Sequence, residues 1–253
     1  MIILLDIGNT SVTYGLYGSG RLRRKGSCSI YDIPKIIINW SKNGELDSSN
    51  HIVISSVVPY QTCYISKRLK RRIGFHVWVV GENLPIRIKS RYKPIKSLGT
   101  DRIVNIYGAL RIYSPPILIV DYGTAVTFDY VSAKGVFEGG MIIPGPEISY
   151  QALLDRAALI PKSLKLPTKS NQFLGHSTFS CMSSGILEGY GSMTDALVNR
   201  YKSRYGNRLR VLGTGGFSIT LKQYTKSFDI HDPDHSLKSI LILFKDFQAN
   251  NPS

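Results

Sequence analysis

Short runs of apolar, β-branched and aromatic residues bounded by turn residues recur at 2–6, 11–17, 51–57 and 76–80, and each predicts a strand. Between them, apolar positions return every three or four residues over 31–42, 60–72 and 101–113, the period of an amphipathic helix. A second series follows the same plan. Residues 116–121 and 124–131 read as strands, "GVFEGGMIIPG" as another, 178–202 as a long helix and 209–213 as a strand. The break between the two series falls at "YSPP", 113–116, because two prolines must end the helix before them. An α/β protein is expected, with an N-terminal lobe over 1–114 and a C-terminal lobe over 115–253.

The two series begin alike. "ILLDIGNTSVTYGLY" and "LIVDYGTAVTFDYV" each run from an apolar strand into Asp-x-Gly, then a hydroxyl-bearing turn, then a second strand. Repetition of this kind predicts two similarly built lobes, each opening with a β-hairpin that carries a carboxylate at its lip. A cleft between such lobes would collect both turns.

Composition narrows what could enter it. With 253 residues, 43% of them hydrophobic, the chain can bury a large core. The opening apolar run stops at Asp6, far short of the ~20 residues of a membrane span, so a cytoplasmic protein is expected. Cys28, Cys63 and Cys181 are scattered, without metal or disulfide spacing, and are expected as buried thiols. Lys and Arg outnumber Asp and Glu by 32 to 17, which favours an anionic partner. Much of that charge lies in "RLRRK" (21–25), "KRLKRR" (67–72) and "RIKSRYKPIK" (87–96), which read as solvated faces. No helix-turn-helix or zinc-finger pattern accompanies them, and nucleic acid is not the expected partner.

In the two turns, Gly8 and Gly123 allow close approach of a ligand, and Asn9, Thr10 and Thr124 add side-chain donors. The result resembles a phosphate cradle, although neither G-x-x-x-x-G-K-[ST] nor G-x-G-x-x-G occurs. Carboxylates beside phosphates repel them unless a cation intervenes, so Asp6 and Asp121 point to metal-bound ATP. Taken singly, each turn is also readable as an ordinary Asx-type hairpin. Further along, Asp101 opens the helix over 101–113, where an acidic residue suits the orphan N–H groups and a helix cap is the plainer role. It could also activate an acceptor hydroxyl, since phosphoryl transfer asks for little more than positioning, charge neutralisation and one carboxylate. Arg102 beside it offers a planar fork for a substrate carboxylate.

Together and in order, "DIGNT" (6–10), "GTDR" (99–102), "DYGTAVTFD" (121–129), "GGMIIPG" (139–145) and "TGG" (214–216) closely resemble the type III pantothenate kinases. The resemblance spans nearly the whole chain. It implies the actin-like fold, with two ribonuclease-H-like lobes and ATP between them, a homodimer, and phosphorylation of pantothenate. It further implies that Asp6, Gly8, Asn9, Thr10, Ser11, Thr13 and Thr124 bind ATP, with Asp6 holding Mg2+ through water, and that Asp101 is the general base. Asp121 would hold a monovalent cation, K+ or NH4+. Tyr92, Gly99, Thr100, Arg102 and Thr178 would meet pantothenate, "GGMIIPGPEISYQALLDRAALIP" would lie at the dimer interface, and "TGG" would approach the nucleoside. Two alternatives accompany this reading: a non-catalytic relative acting by binding or regulation, and a kinase for another small hydroxy acid.

The chain departs from the family pattern in two places. Proline follows Tyr92 one position early in "RYKPIKSLGTDR", at the lip of the acceptor site, and Ser239-Ile240 replaces an expected Gly-Leu pair. "HDPDH" at 231–235 reads as a turn capping the last helix, since Pro233 spoils an i, i+4 histidine pair. Gly185 and Gly189, one turn apart, suggest close approach of another helix.

Overall fold

Strand β1 (Ile2–Ile7) is buried on both sides, which only a central strand can be. Ile3, Leu5 and Ile7 point to one face and pack on Ile33, Ile37 and Trp40 of α1 (Ile33–Lys42) and on Ile65 and Leu69 of α2 (Pro59–Ile73). Leu4 points to the other face and meets Val104 and Tyr107 of α3 (Thr100–Ile112), together with a helix from the far end of the chain. This computed structural model describes residues 1–46, 50–73, 75–170 and 172–251; the side chains of Lys70, Arg71 and Arg72, part of the second basic cluster, lie outside the described set.

β1 pairs antiparallel with β2 (Val12–Gly18) and parallel with β4 (His51–Ser56). Flanked by β3 (Arg21–Cys28) and β5 (His76–Val79), the sheet runs β3-β2-β1-β4-β5. The "RLRRK" cluster is therefore an edge strand, with Arg21, Arg23, Arg24 and Lys25 exposed. Charge there discourages pairing with another chain. Period two also governs the third basic cluster: Ile86 and Ile88 tuck against the core while Arg87, Lys89 and Arg91 face water.

A second sheet repeats the first. β6 (Ile117–Tyr122) pairs antiparallel with β7 (Ala125–Val131) and parallel with β9 (Arg210–Thr214), and β8 (Phe137–Pro144) and β10 (Ile230–His231) complete the order β10-β9-β6-β7-β8. Read from β8, this is the order and direction of the first sheet. Leu118, Val120 and Tyr122 pack on Leu187, Val198 and Tyr201 of α5 (Thr178–Tyr205), which starts at a capping box formed by Ser177 and Ser180. Tyr150 and Leu154 of α4 (Pro146–Arg156) meet Met182 and Ile186. A single turn, α6 (Ser218–Leu221), follows β9.

The chain divides into two compact units, Met1–Ile112 with His235–Ser253, and Tyr113–Asp234. The first break falls between Ile112 and Tyr113. The end of the chain differs from a plain 115–253 lobe, because α7 (His235–Asn250) joins the first unit. Its stripe of Leu237, Ile240, Leu243 and Phe244 covers Leu4 and Val53 alongside Val104 and Tyr107 of α3. Full burial of each such side chain contributes ~1.5–3 kcal/mol.

The thiols depart from expectation: Cys63 and Cys181 are exposed, and Cys28 is half-buried. Gly185 and Gly189 are exposed too, with open space where a Cβ would stand, so among the described residues no helix packs against them. Histidines of "HDPDH" find separate partners. His231 Nε2 lies 3.1 Å from Ser218 Oγ, while His235 opens α7 and donates from Nε2 to the Asn105 carbonyl at 2.9 Å.

Candidate functional site

Strand alternation decides where Asp6 points. It shares the face of Ile2 and Leu4, the one covered by α3 and α7, and its cross-strand neighbours are Thr13 on β2 and Ser55 on β4. Asp121 has the same setting in the second unit, between Thr127 on β7 and Thr214 on β9. Each carboxylate thus lies one residue before the end of the central strand of its sheet and stands between two hydroxyl side chains. That equivalence is the structural content of the internal echo.

Asp6 is half-buried, and its carboxyl is raised from the ordinary carboxylate range to about 6. Burial is the main cause and the charge of Asp101 the next, opposed by a hydrogen bond from Ser236 at the start of α7. Asp6 and Asp101 therefore feel one another across the open end of this sheet face. Asp101 stands in the first turn of α3, where its Oδ1 accepts the Arg102 N–H at 2.8 Å. Gly99 makes room for it, since a Cβ there would collide with Asp101 Oδ1. Thr100 opens the helix, half-buried.

Arg102 is buried, and its guanidinium carbon lies 5.9 Å from the centre of the Tyr92 ring. Tyr92 turns inward because it continues the period-two path of Ile86, Ile88 and Ser90, and its own N–H donates to Ser90 Oγ at 2.9 Å. The early proline does not prevent this meeting.

The turns themselves are less alike than their sequences. Gly8 N–H donates to the Ser11 carbonyl at 3.0 Å, spanning a four-residue loop, whereas Gly123 N–H donates to Ala125 at 3.1 Å around a tighter one. Neither glycine has a left-handed backbone, and a Cβ at either would meet nothing nearer than 3.4 Å. What their missing side chains leave is open space above the turn. Asn9, Thr10 and Ser11 are exposed, and Thr13 is half-buried. Because the Gly8 amide serves the loop, donors for a ligand must come from these neighbours.

Two further glycines shape the Asp121 turn. Gly145 N–H donates to the Thr124 carbonyl at 3.0 Å, and a Cβ on Gly145 would strike the Gly123 and Thr124 carbonyls. Gly215 of "TGG" has φ +86° and lies against Asp121 Oδ1 and the Tyr122 backbone, so a side chain there would crowd the carboxylate. Its neighbour Gly216 is exposed with open space around it. Thr178 is exposed on the first turn of α5.

Sequence reasoning missed Ser55, and it gave no role to Thr127 and Thr214, although they lie within "DYGTAVTFD" and "TGG". The register of the sheets brings them beside the two carboxylates. Among the described residues no group of three or more His, Cys, Asp or Glu side chains could hold a metal ion. A divalent ion at Asp6 would draw most of its ligands from phosphate and water, as magnesium does beside a nucleotide. Crowded acidic oxygens that resist ionising together are the donor set such an ion suits.

Known proteins resemble this chain in sequence and in fold. The sequence model of a family described as type III pantothenate kinase matches residues 2–200. A type III pantothenate kinase of Caulobacter vibrioides is 37% identical over 194 residues, covering 77% of this chain and 74% of that protein. Among solved structures, one from Campylobacter jejuni described as a Baf family transcriptional activator superposes with a TM-score of 0.59 at 19% identity, over 98% of this chain and 99% of that one. Another, from Sinorhizobium meliloti and described as a 2-dehydro-3-deoxygalactonokinase protein, gives 0.59 at 12% identity with full coverage of both. The ethanolamine utilization protein EutJ of Carboxydothermus hydrogenoformans gives 0.54 at 10%, over 95% and 89%. These likenesses establish the actin-like fold, with its pair of mixed five-stranded sheets.

Proposed function

The chain belongs to the type III pantothenate kinase family, and from that membership we propose that it transfers the γ-phosphoryl of ATP to the primary hydroxyl of pantothenate, the first step toward coenzyme A. The observation that carries this reading is the pairing on one sheet face of Asp6, held high by burial, with Asp101 at the mouth of α3. Two carboxylates so placed suit a cation and a proton acceptor.

In this reading Asp101 accepts the proton of the pantothenate hydroxyl as the phosphoryl group leaves ATP. Arg102, stacked near Tyr92, holds the pantothenate carboxylate, and Gly99 and Thr100 border the same substrate. Asp6 holds magnesium through water, and Gly8, Asn9, Thr10, Ser11 and Thr13 surround the phosphates. Magnesium, when bound, supplies neutralisation of phosphate charge. From the second unit, Thr124 contributes to phosphate binding, Asp121 holds K+ or NH4+, and Thr178 touches pantothenate. Catalysis then rests on alignment and preorganised charge.

A homodimer is part of the proposal. Met141, Ile142, Ile148, Leu153 and Leu159 are exposed in the stretch that resembles the family interface, with Leu159 at 95% and Ile142 at 62%. Exposed apolar surface of this extent marks an interaction site, and Gly185 and Gly189 offer a flat stripe for a second copy. Three free thiols and an ATP requirement suit the cytoplasm, where the proposal places the reaction.

The deciding experiment is ADP release with and without pantothenate, in potassium and then in sodium. Pantothenate-dependent release that needs potassium supports the kinase activity and its monovalent cation. Absence of release with both present overturns it, and release that follows only another hydroxy acid reassigns the acceptor.

A further inference from the structure

Ser218 and His231 meet beside the "TGG" turn, both within the second unit, and phosphoryl transfer as set out above uses neither. A serine next to a histidine suggests an activated nucleophile, but the hydrogen bonds run the other way. Ser218 is fully buried, and its hydroxyl donates to the Gly215 carbonyl at 2.6 Å. With that single proton committed, the 3.1 Å approach of His231 Nε2 is a bond in which the imidazole donates and the serine oxygen accepts. The imidazole is held in turn by Phe228, with ring planes 3° apart and centroids 6.1 Å apart, and its backbone by the pairing of β10 with β9. Phe228 lies on Gly213, where a Cβ would strike its ring.

This chain of donors ends at Asp121. The Gly215 carbonyl also accepts the Ser218 N–H at 3.1 Å, and the Phe217 N–H donates to the Tyr122 carbonyl at 3.2 Å. Glycine is the residue least able to choose its own backbone form, so these bonds are what keep Gly215 at φ +86°, packed on Asp121 Oδ1. A carboxylate turns readily about its terminal torsion, and the Gly215 backbone limits that turning on one side. We infer that Ser218 and His231 are positioning residues, which through the Gly215 carbonyl fix the glycine turn against Asp121 and so set how that carboxylate meets a monovalent cation. The inference deepens the kinase reading and rests on it for the identity of the cation. Thr127 and Thr214 flank Asp121 in register, both buried, and an all-oxygen surrounding of this kind suits a hard cation.

The test compares Ser218→Ala, His231→Leu and His231→Gln with wild type while K+ replaces Na+ at constant ionic strength. Thermal denaturation with Mg2+ and ADP present gives the K+ concentration that produces half of each protein's own rise in midpoint. Ser218→Ala and His231→Leu should each need about three to ten times more K+ than wild type, the worth of one hydrogen bond. In turnover the half-saturating K+ concentration should move by the same factor, with the KM for pantothenate unchanged. His231→Gln, whose amide N–H can take the place of Nε2–H, should restore K+ dependence close to that of wild type. Wild-type K+ dependence of Ser218→Ala overturns the inference, as does a His231→Gln protein no better than His231→Leu. Ser218→Ala, which removes one oxygen from a packed site, decides the matter alone if His231→Leu does not fold. A wild type whose midpoint and turnover ignore K+ takes the cation from Asp121 and the inference with it, while pantothenate-dependent turnover would still uphold the kinase. If K+ raises the midpoint but pantothenate supports no turnover, the kinase reading falls and the melting titration decides the roles of Ser218 and His231.

Discussion

Asp6 stands where a carboxylate gains least from ionising, and that cost has a sign that can be measured. Its folded-state value, about 6, is above the ordinary carboxylate range, so the fold favours the protonated form. Stability from this group is complete in acid and is lost as pH rises through about 6. The metal-free protein should therefore lose on the order of 2 kcal/mol between pH 4 and 7 from this residue, by urea denaturation in the presence of a chelator. Asp6→Asn should flatten that portion of the profile and be the more stable protein at pH 7.5, while losing phosphoryl transfer. Asp101→Asn separates binding from chemistry: turnover should fall by ~10²–10⁴-fold, with the thermal shift produced by Mg2+–ADP retained. An Asp101→Asn enzyme of near-normal rate would remove the proposed base. Arg102 and Tyr92 were both legible as candidates, but their meeting depends on the extended path from Ile86, which a residue list does not convey.

Elements whose two faces are both buried announced themselves in the sequence, and those shaped by their neighbours did not. β1 and β6 are continuous apolar runs ended by Asp, and every paired element near them falls within a residue or two of its periodic signal. β3 reads as a charge cluster because an edge strand has little to bury. α4 follows Pro144, Gly145 and Pro146, a triplet that suggests a turn, and only its contact with α5 through Tyr150 and Leu154 makes it a helix. α7 was hard to place for a related reason: it closes a face that begins with Leu4, more than two hundred positions earlier. The tight crossing of α3 and α7 at Gly108 and Ser239 can be tested as a pair. Gly108→Ala should destabilise by ~1–3 kcal/mol through overpacking, and adding Ser239→Gly should recover part of it, since the Ser239 Cα would still stand 2.8 Å from the new methyl. Additive losses in the double variant would show that the two residues do not share that space.

At the scale of the molecule, the repeated sheet order explains why an internal echo of some fifteen residues carried so much: it marks the strand pair around which each unit is assembled. The exposed apolar residues of β8 and α4 belong to this scale as well. Ile142→Glu or Leu153→Glu should convert the proposed dimer to monomer in light scattering, with turnover lost in proportion if Thr178 serves the partner's substrate. A variant still dimeric would place the interface elsewhere. The return of α7 to the first unit also constrains how the protein can be born. Residues 113–234 form one uninterrupted stretch and can acquire their structure while the ribosome is still at work. The first unit, although translated earlier, must wait with Leu4 and Val53 covered only in part, by α3, until its closing helix has left the exit tunnel, a delay of roughly ten to thirty seconds at ~5–20 residues per second. Truncation before His235 would leave that wait without an end, and a nascent chain so shortened becomes a client for chaperones rather than an enzyme.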